Sequence, residues 1–144
     1  MYEVGDGPDF DRSSWTNVKD TLGLDFPNLP YLIDGNCKLT ETKAIMKYVA
    51  KKYKPDLLGN SAAELGRIEM LAPFVDELKQ KSTHACYVHG DASQIIEECR
   101  PLLAKLMGCK GSSQWLAGNN LSWLDFYFAE LLDLLDKISE GLFY

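Results

Sequence analysis

The chain has no long apolar run, no excess of basic residues and no paired-cysteine spacing, and each absence removes a class of function. No hydrophobic stretch approaches the ~20 residues that a bilayer-spanning helix needs, so no membrane partner is expected. Met1-Tyr2-Glu3-Val4 has neither a basic nor an apolar signal region, so no secretory leader is read there. A formal net charge of −6 argues against nucleic acid, which needs clustered Lys and Arg. The one dense basic run, Lys51, Lys52 and Lys54, reads as a solvated helix end favoured by the macrodipole. Cys37, Cys86, Cys99 and Cys109 lack C-x-x-C spacing and read as reduced thiols, which points to the cytoplasm. Cys86-Tyr87-Val88-His89 offers a pair of metal-ligand types without a full set, so no metal is expected. A nucleophile triad, a P-loop and a dinucleotide fingerprint are all missing, and no cofactor is expected.

What is present suffices for a real core. With 144 residues and 46% hydrophobic content, the chain can form one domain or two small ones. The most informative stretch is Leu24-Asp25-Phe26-Pro27-Asn28-Leu29-Pro30-Tyr31-Leu32-Ile33-Asp34-Gly35. Tyr31-Leu32-Ile33 reads as a short strand, Asp34-Gly35 as a turn, and Cys37-Lys38-Leu39 as the strand that pairs back. Thr40, Glu41 and Thr42 then open a helix with Ile45, Tyr48 and Val49 at helical spacing. Pro30 restricts Leu29 to an extended conformation, leaving its amide and carbonyl available to something other than the sheet. An extended edge beside a helix N-terminus suits a small peptide that carries a free acid. Taken alone, the stretch reads better as only a hairpin and a capped helix.

Along the rest of the chain, Met1 to Val4 is a candidate strand, and Gly5 to Asp11 a Gly/Pro/Asp-rich loop. Ser13 or Ser14 caps a helix holding Trp15, Val18 and Leu22, which ends at Gly23. Residues 55–61 read as a linker between an α/β part over residues 1–54 and an all-helical part over 62–144. A long helix from Ala62 to about Tyr87 contains Pro73, which should kink or divide it. Ser93 to Met107 reads as a further helix despite Pro101, with a loop from Gly108 to Ser113. The clearest helix start is Leu121-Ser122-Trp123-Leu124-Asp125-Phe126, where Ser122 is the N-cap and Asp125 completes a near capping box.

The segments Gly5-Asp6-Gly7-Pro8-Asp9-Phe10-Asp11-Arg12-Ser13-Ser14-Trp15 and Leu22 to Tyr31 closely resemble the mu class of cytosolic glutathione transferases. Several motifs occur in the family's order and spacing, from about residue 4 to about residue 133. The resemblance implies a partial thioredoxin-like domain followed by a partial helical domain of the glutathione-transferase type. It implies glutathione as co-substrate, a hydrophobic electrophile as the second substrate, and a homodimer.

The same resemblance implies roles for particular residues. Arg12, Trp15 and Lys19 fall where mu enzymes hold the glycyl carboxylate of glutathione; Trp15 and Lys19, four apart, would share one helix face. On their own they read as a half-buried Trp beside a surface Lys. Asn28 and Leu29 match the backbone segment that pairs with the cysteinyl residue, with Pro30 expected cis. Glu41 and Thr42 match the pair that takes the γ-glutamyl end, where mu enzymes usually carry Gln and Ser. Glu77 matches an acid that reaches the α-ammonium from the partner subunit, and otherwise reads as a surface glutamate. Tyr87 matches a tyrosine lining the electrophile site, against the alternative of a core aromatic. Phe26 matches the aromatic that inserts into the partner subunit, or else caps its own core.

The family's catalytic tyrosine, in a Tyr-Trp-Asp-Ile-Arg-Gly type segment, has no counterpart in these residues, so the catalytic group is unassigned. Further helices of the family after the central helix also lack a counterpart. The expectation is therefore an incomplete or weakly active transferase. The alternative is a non-catalytic glutathione-binding or interaction module on the same fold.

Overall fold

The computed structural model describes residues 2–88 and 92–139, and the side chains among them other than those of residues 84–92. The chain forms two compact units, Met1–Val49 and Ala50–Tyr144.

The first unit is built on a hairpin. Strands β1 (Tyr31–Asp34) and β2 (Cys37–Thr40) pair antiparallel, from Tyr31 opposite Thr40 to Asp34 opposite Cys37. The two-residue connection begins with Gly35 at φ 59°, the positive φ that a tight hairpin needs at that position. Helix α2 (Thr42–Tyr53) follows β2 almost directly. The Tyr48 hydroxyl donates to Asp34 Oδ2 at 3.0 Å, tying the helix to the turn end of the hairpin. On the N-terminal side, the Lys38 ammonium donates to the Leu22 carbonyl at 2.6 Å across Gly23. Gly23 has φ 65°, so its conformation favours glycine.

Two expectations for this unit are corrected. Tyr2 to Val4 is not a strand, because Ser14 takes over the bonding a ladder would supply. Its hydroxyl donates to the Glu3 carbonyl at 2.6 Å and accepts from the Glu3 amide at 3.2 Å. The expected helix from Ser13 to Leu22 is instead a short α1 (Ser13–Thr16) and a separate 3-10 turn, Lys19–Thr21. Thr16, Asn17 and Val18 are weak helix formers, and the Thr16 hydroxyl bonds back to the Arg12 carbonyl. Neither Ser13 nor Ser14 is the cap. Asp11 holds the start, accepting from the Ser13 amide at 2.8 Å and the Ser13 hydroxyl at 2.7 Å.

The second unit is a helical core of α3 (Ala62–Val88), α4 (Ala92–Lys110) and α5 (Trp123–Ser139), preceded by a 3-10 turn at Pro55–Leu58. The three helices pack on one another, and the core they bury contains Leu71, Val75 and Leu78 of α3, Ile95, Cys99 and Leu106 of α4, and Trp123, Leu124, Leu131 and Leu135 of α5. These side chains are all but fully removed from water, which makes burial the main source of stability here. Pro73 and Pro101 stay within continuous helices, so Pro73 does not divide α3. Helix α4 runs past Met107 to Lys110, further than expected. Gly111, at φ 54°, then ends it, its amide bonding the Met107 carbonyl at 2.9 Å.

Burial, and then the hydrogen bond that the Tyr127 hydroxyl donates to Asp76 at 3.0 Å, push the Tyr127 phenol up to about 12 from 10.0. A raised phenol pKa means that the folded state prefers the neutral form. That stabilisation is complete below about pH 10 and is lost as pH rises toward 12. Tyr127→Phe should therefore be less stable than the parent at neutral pH, with the gap narrowing in alkali. Urea midpoints measured from pH 8 to 11.5 check this.

Candidate functional site

Of the expected ligand-holding residues, Asn28, Leu29 and Pro30 precede β1 and Glu41 and Thr42 follow β2, so both groups lie at the open end of the hairpin. Tyr31 opposite Thr40 is the outermost pair, so Pro30 and Glu41 are the first residues beyond the ladder on its two strands. The segment before β1 and the start of α2 therefore leave the hairpin at the same end.

The backbone on each side of that end is unusual. The Leu29–Pro30 bond is cis, as expected for this segment, and Leu29 is exposed. The Leu29 amide is not free, however: it donates to Asn28 Oδ1 at 2.9 Å. A ligand carbonyl would have to displace this side-chain oxygen, while the Leu29 carbonyl keeps its own acceptor capacity. Across the end, Glu41 has φ 73°, a left-handed conformation that glutamate adopts only under constraint. Its carbonyl accepts the first intrahelical bond of α2, from the Ile45 amide at 3.0 Å. The Thr42 amide lies ahead of that bond, and the first turn of α2 contains no acidic residue to offset its positive end. This geometry suits a carboxylate.

Trp15 reaches the same end from α1. Its indole stacks on Tyr31 with centroids 5.9 Å apart and planes at 18°. Tyr2 meets the Trp15 ring edge-on at 5.0 Å, and its hydroxyl lies 3.0 Å from the Tyr31 hydroxyl. Sequence reading missed Tyr2 and Tyr31, because nothing in local periodicity links positions 2, 15 and 31. The one available sign was that Tyr31 directly follows Pro30, where the strand starts.

Arg12 is exposed at the start of α1, and Lys19 is half-buried at the start of the 3-10 turn. Since Trp15 and Lys19 lie in different elements, the expected shared helix face does not exist. Neither basic head group forms an ion pair among the described residues. Both cations therefore remain available to an anionic ligand.

The remaining residues stand apart. Glu77 lies exposed on α3, 3.8 Å from the Lys81 ammonium, an ordinary surface ion pair. Tyr87 falls within α3, but its side chain lies outside those described. Phe26 is 80% exposed, so it does not cap its own core.

Residues 1–51 match the family model of the glutathione S-transferase N-terminal domain. Along most of its length the chain is similar to glutathione S-transferases, mu-class members among them. It is 40% identical over 142 residues to glutathione S-transferase Mu 1 of Bos taurus, covering 93% of this chain and 62% of that protein. It is 39% identical over 137 residues to a glutathione S-transferase of Dermatophagoides pteronyssinus, covering 91% and 60%. Among solved structures, the glutathione S-transferase Blo t 8 superposes with a TM-score of 0.80 at 30% identity, over 92% of this chain and 63% of that one. The chain thus spans about three-fifths of the length of these relatives.

Proposed function

We propose that the chain holds glutathione at the open end of the hairpin and serves a mu-like transferase that joins the glutathione thiolate to electrophilic small molecules. The observation that carries this reading is the register. It brings the segment before β1, which holds Leu29, and the start of α2 at Thr42 to the same end of the hairpin. The peptide's cysteinyl backbone lies along Asn28 and Leu29, next to Pro30. Its γ-glutamyl end meets Glu41 and Thr42, where the helix start receives the α-carboxylate and Glu41 accepts from the α-ammonium. Its glycyl carboxylate meets Trp15, Arg12 and Lys19. The strained Glu41 backbone supports the reading, since such conformations concentrate at ligand sites.

The chemistry needs a thiolate in place of the thiol, and a hydrophobic electrophile beside it. Tyr87 is the residue we assign to the electrophile side. A homodimer is the assembly proposed, with exposed Phe26 as one contact and Glu77 reaching the partner's ligand. A recess of about 350 Å³ lined by Met70, Phe74, Leu102 and Leu106 gives the helical unit an apolar surface of its own for that contact. No helix among the described residues is long and apolar enough to cross a membrane, and we place the protein in the cytoplasm by its resemblance to cytosolic transferases.

Retention of the 144-residue chain on immobilised glutathione tests the reading. The expected result is retention that free glutathione reverses and the same concentration of glycylglycine does not. Passage through the resin unretarded would overturn it.

A further inference from the structure

The Tyr2–Trp15–Tyr31 cluster joins three separate pieces of the first unit: the N-terminal segment, α1 and the mouth of the hairpin. Trp15 lies in a four-residue helix without a side-chain cap at its N-terminal residue, Arg12, so the helix alone fixes its indole poorly. The stacking on Tyr31 at 5.9 Å and the edge contact from Tyr2 at 5.0 Å supply that constraint. The hydroxyl pair at 3.0 Å holds the two tyrosines together on the indole. Tyr31 also opens β1, directly after the Asn28–Pro30 segment proposed to take the peptide.

We infer that Tyr31, braced by Tyr2, is a positioning residue that sets the Trp15 indole for the glycyl end of the bound peptide. The inference rests on the glutathione reading and deepens it. Tyr31 need not touch the ligand, so its effect should be confined to the part of the ligand that Trp15 meets. The hydrogen bond to Tyr31 raises the Tyr2 phenol above its ordinary value, so alkali is needed to ionise it.

Equilibrium dialysis with glutathione and with γ-glutamylcysteine, the same ligand without its glycine, tests the assignment. Tyr31→Leu removes both stacking and hydroxyl, and should weaken glutathione by about tenfold while changing γ-glutamylcysteine by less than about twofold. Tyr31→Phe keeps the stack and loses only the hydroxyl bond, so it should restore most of the glutathione affinity and guards against a Leu variant that fails to fold. Tyr2→Phe should resemble Tyr31→Phe. Equal losses for both ligands, or no loss for either, would overturn the positioning role and leave the glutathione reading standing. Failure of the parent chain to bind either ligand would overturn the reading, and this inference with it.

Discussion

Asp125→Ala should lower the stability of the helical unit by about 3 kcal/mol, the largest effect expected from any single polar substitution in the chain. One carboxylate serves three donors there. Asp125 Oδ2 accepts from the Ser122 amide and the Ser122 hydroxyl, each at 2.8 Å, and Oδ1 accepts from the Leu116 amide at 2.8 Å. Ser122 and Leu116 are 1% and 2% exposed, so water cannot replace the lost acceptor. The substitution therefore both uncaps α5 and strands buried amides, and the second effect dominates because an unpaired buried donor keeps its full desolvation cost. Asp125→Asn retains one acceptor oxygen and should lose roughly half as much. Urea unfolding followed by tryptophan fluorescence checks the order. An alanine variant within about 0.5 kcal/mol of the parent would show that the loop before α5 satisfies itself.

Glu41→Gly should cost about tenfold or more in glutathione affinity while leaving the fold as stable as before, or up to about 1 kcal/mol more so. At φ 73° the glutamate backbone is strained and glycine is not, although glycine also enlarges the unfolded ensemble and takes back part of the gain. The side chain makes no bond among the described residues that would offset its loss, and it is exposed. Its removal therefore falls on binding, through the acceptor offered to the ligand's ammonium. A tenfold change corresponds to about 1.4 kcal/mol, well within the worth of one charge-assisted hydrogen bond. Glu41→Gln, the residue usual in mu enzymes, should retain most of the affinity by keeping an acceptor at the same reach. Calorimetric titration beside thermal unfolding separates the two quantities. If Glu41→Gly lost stability in proportion to affinity, the residue would belong to the scaffold and not to the ligand.

The features that sequence reading found are those written over a few consecutive residues. The hairpin was legible because Tyr31-Leu32-Ile33 is apolar and Gly35 supplies the turn, and α5 was legible because Ser122 and Asp125 are a local pair. The region around Trp15 was not. Thr16, Asn17 and Val18 tip a helical pattern into a single turn followed by a 3-10 turn, a balance of small propensities that spacing does not reveal. The aromatic cluster was illegible for a different reason, since contacts among residues 2, 15 and 31 are set by how the whole unit closes. The occupied Leu29 amide followed the same logic: Pro30 fixed the backbone, but not the neighbouring Asn28 side chain that settles on it. In the helical unit, apolar spacing located α3 and α4, while the end of α4 depended on the left-handed residue at Gly111.

The account turns on a peptide bound across the mouth of the hairpin, and an amide NMR titration of the labelled chain with glutathione tests that most directly. The result expected is saturable movement of the Leu29 and Thr42 amides and of the Trp15 indole proton, with Trp115 and Trp123 unmoved. A spectrum that stays still at millimolar glutathione, or one that shifts only in the helical unit, would contradict it.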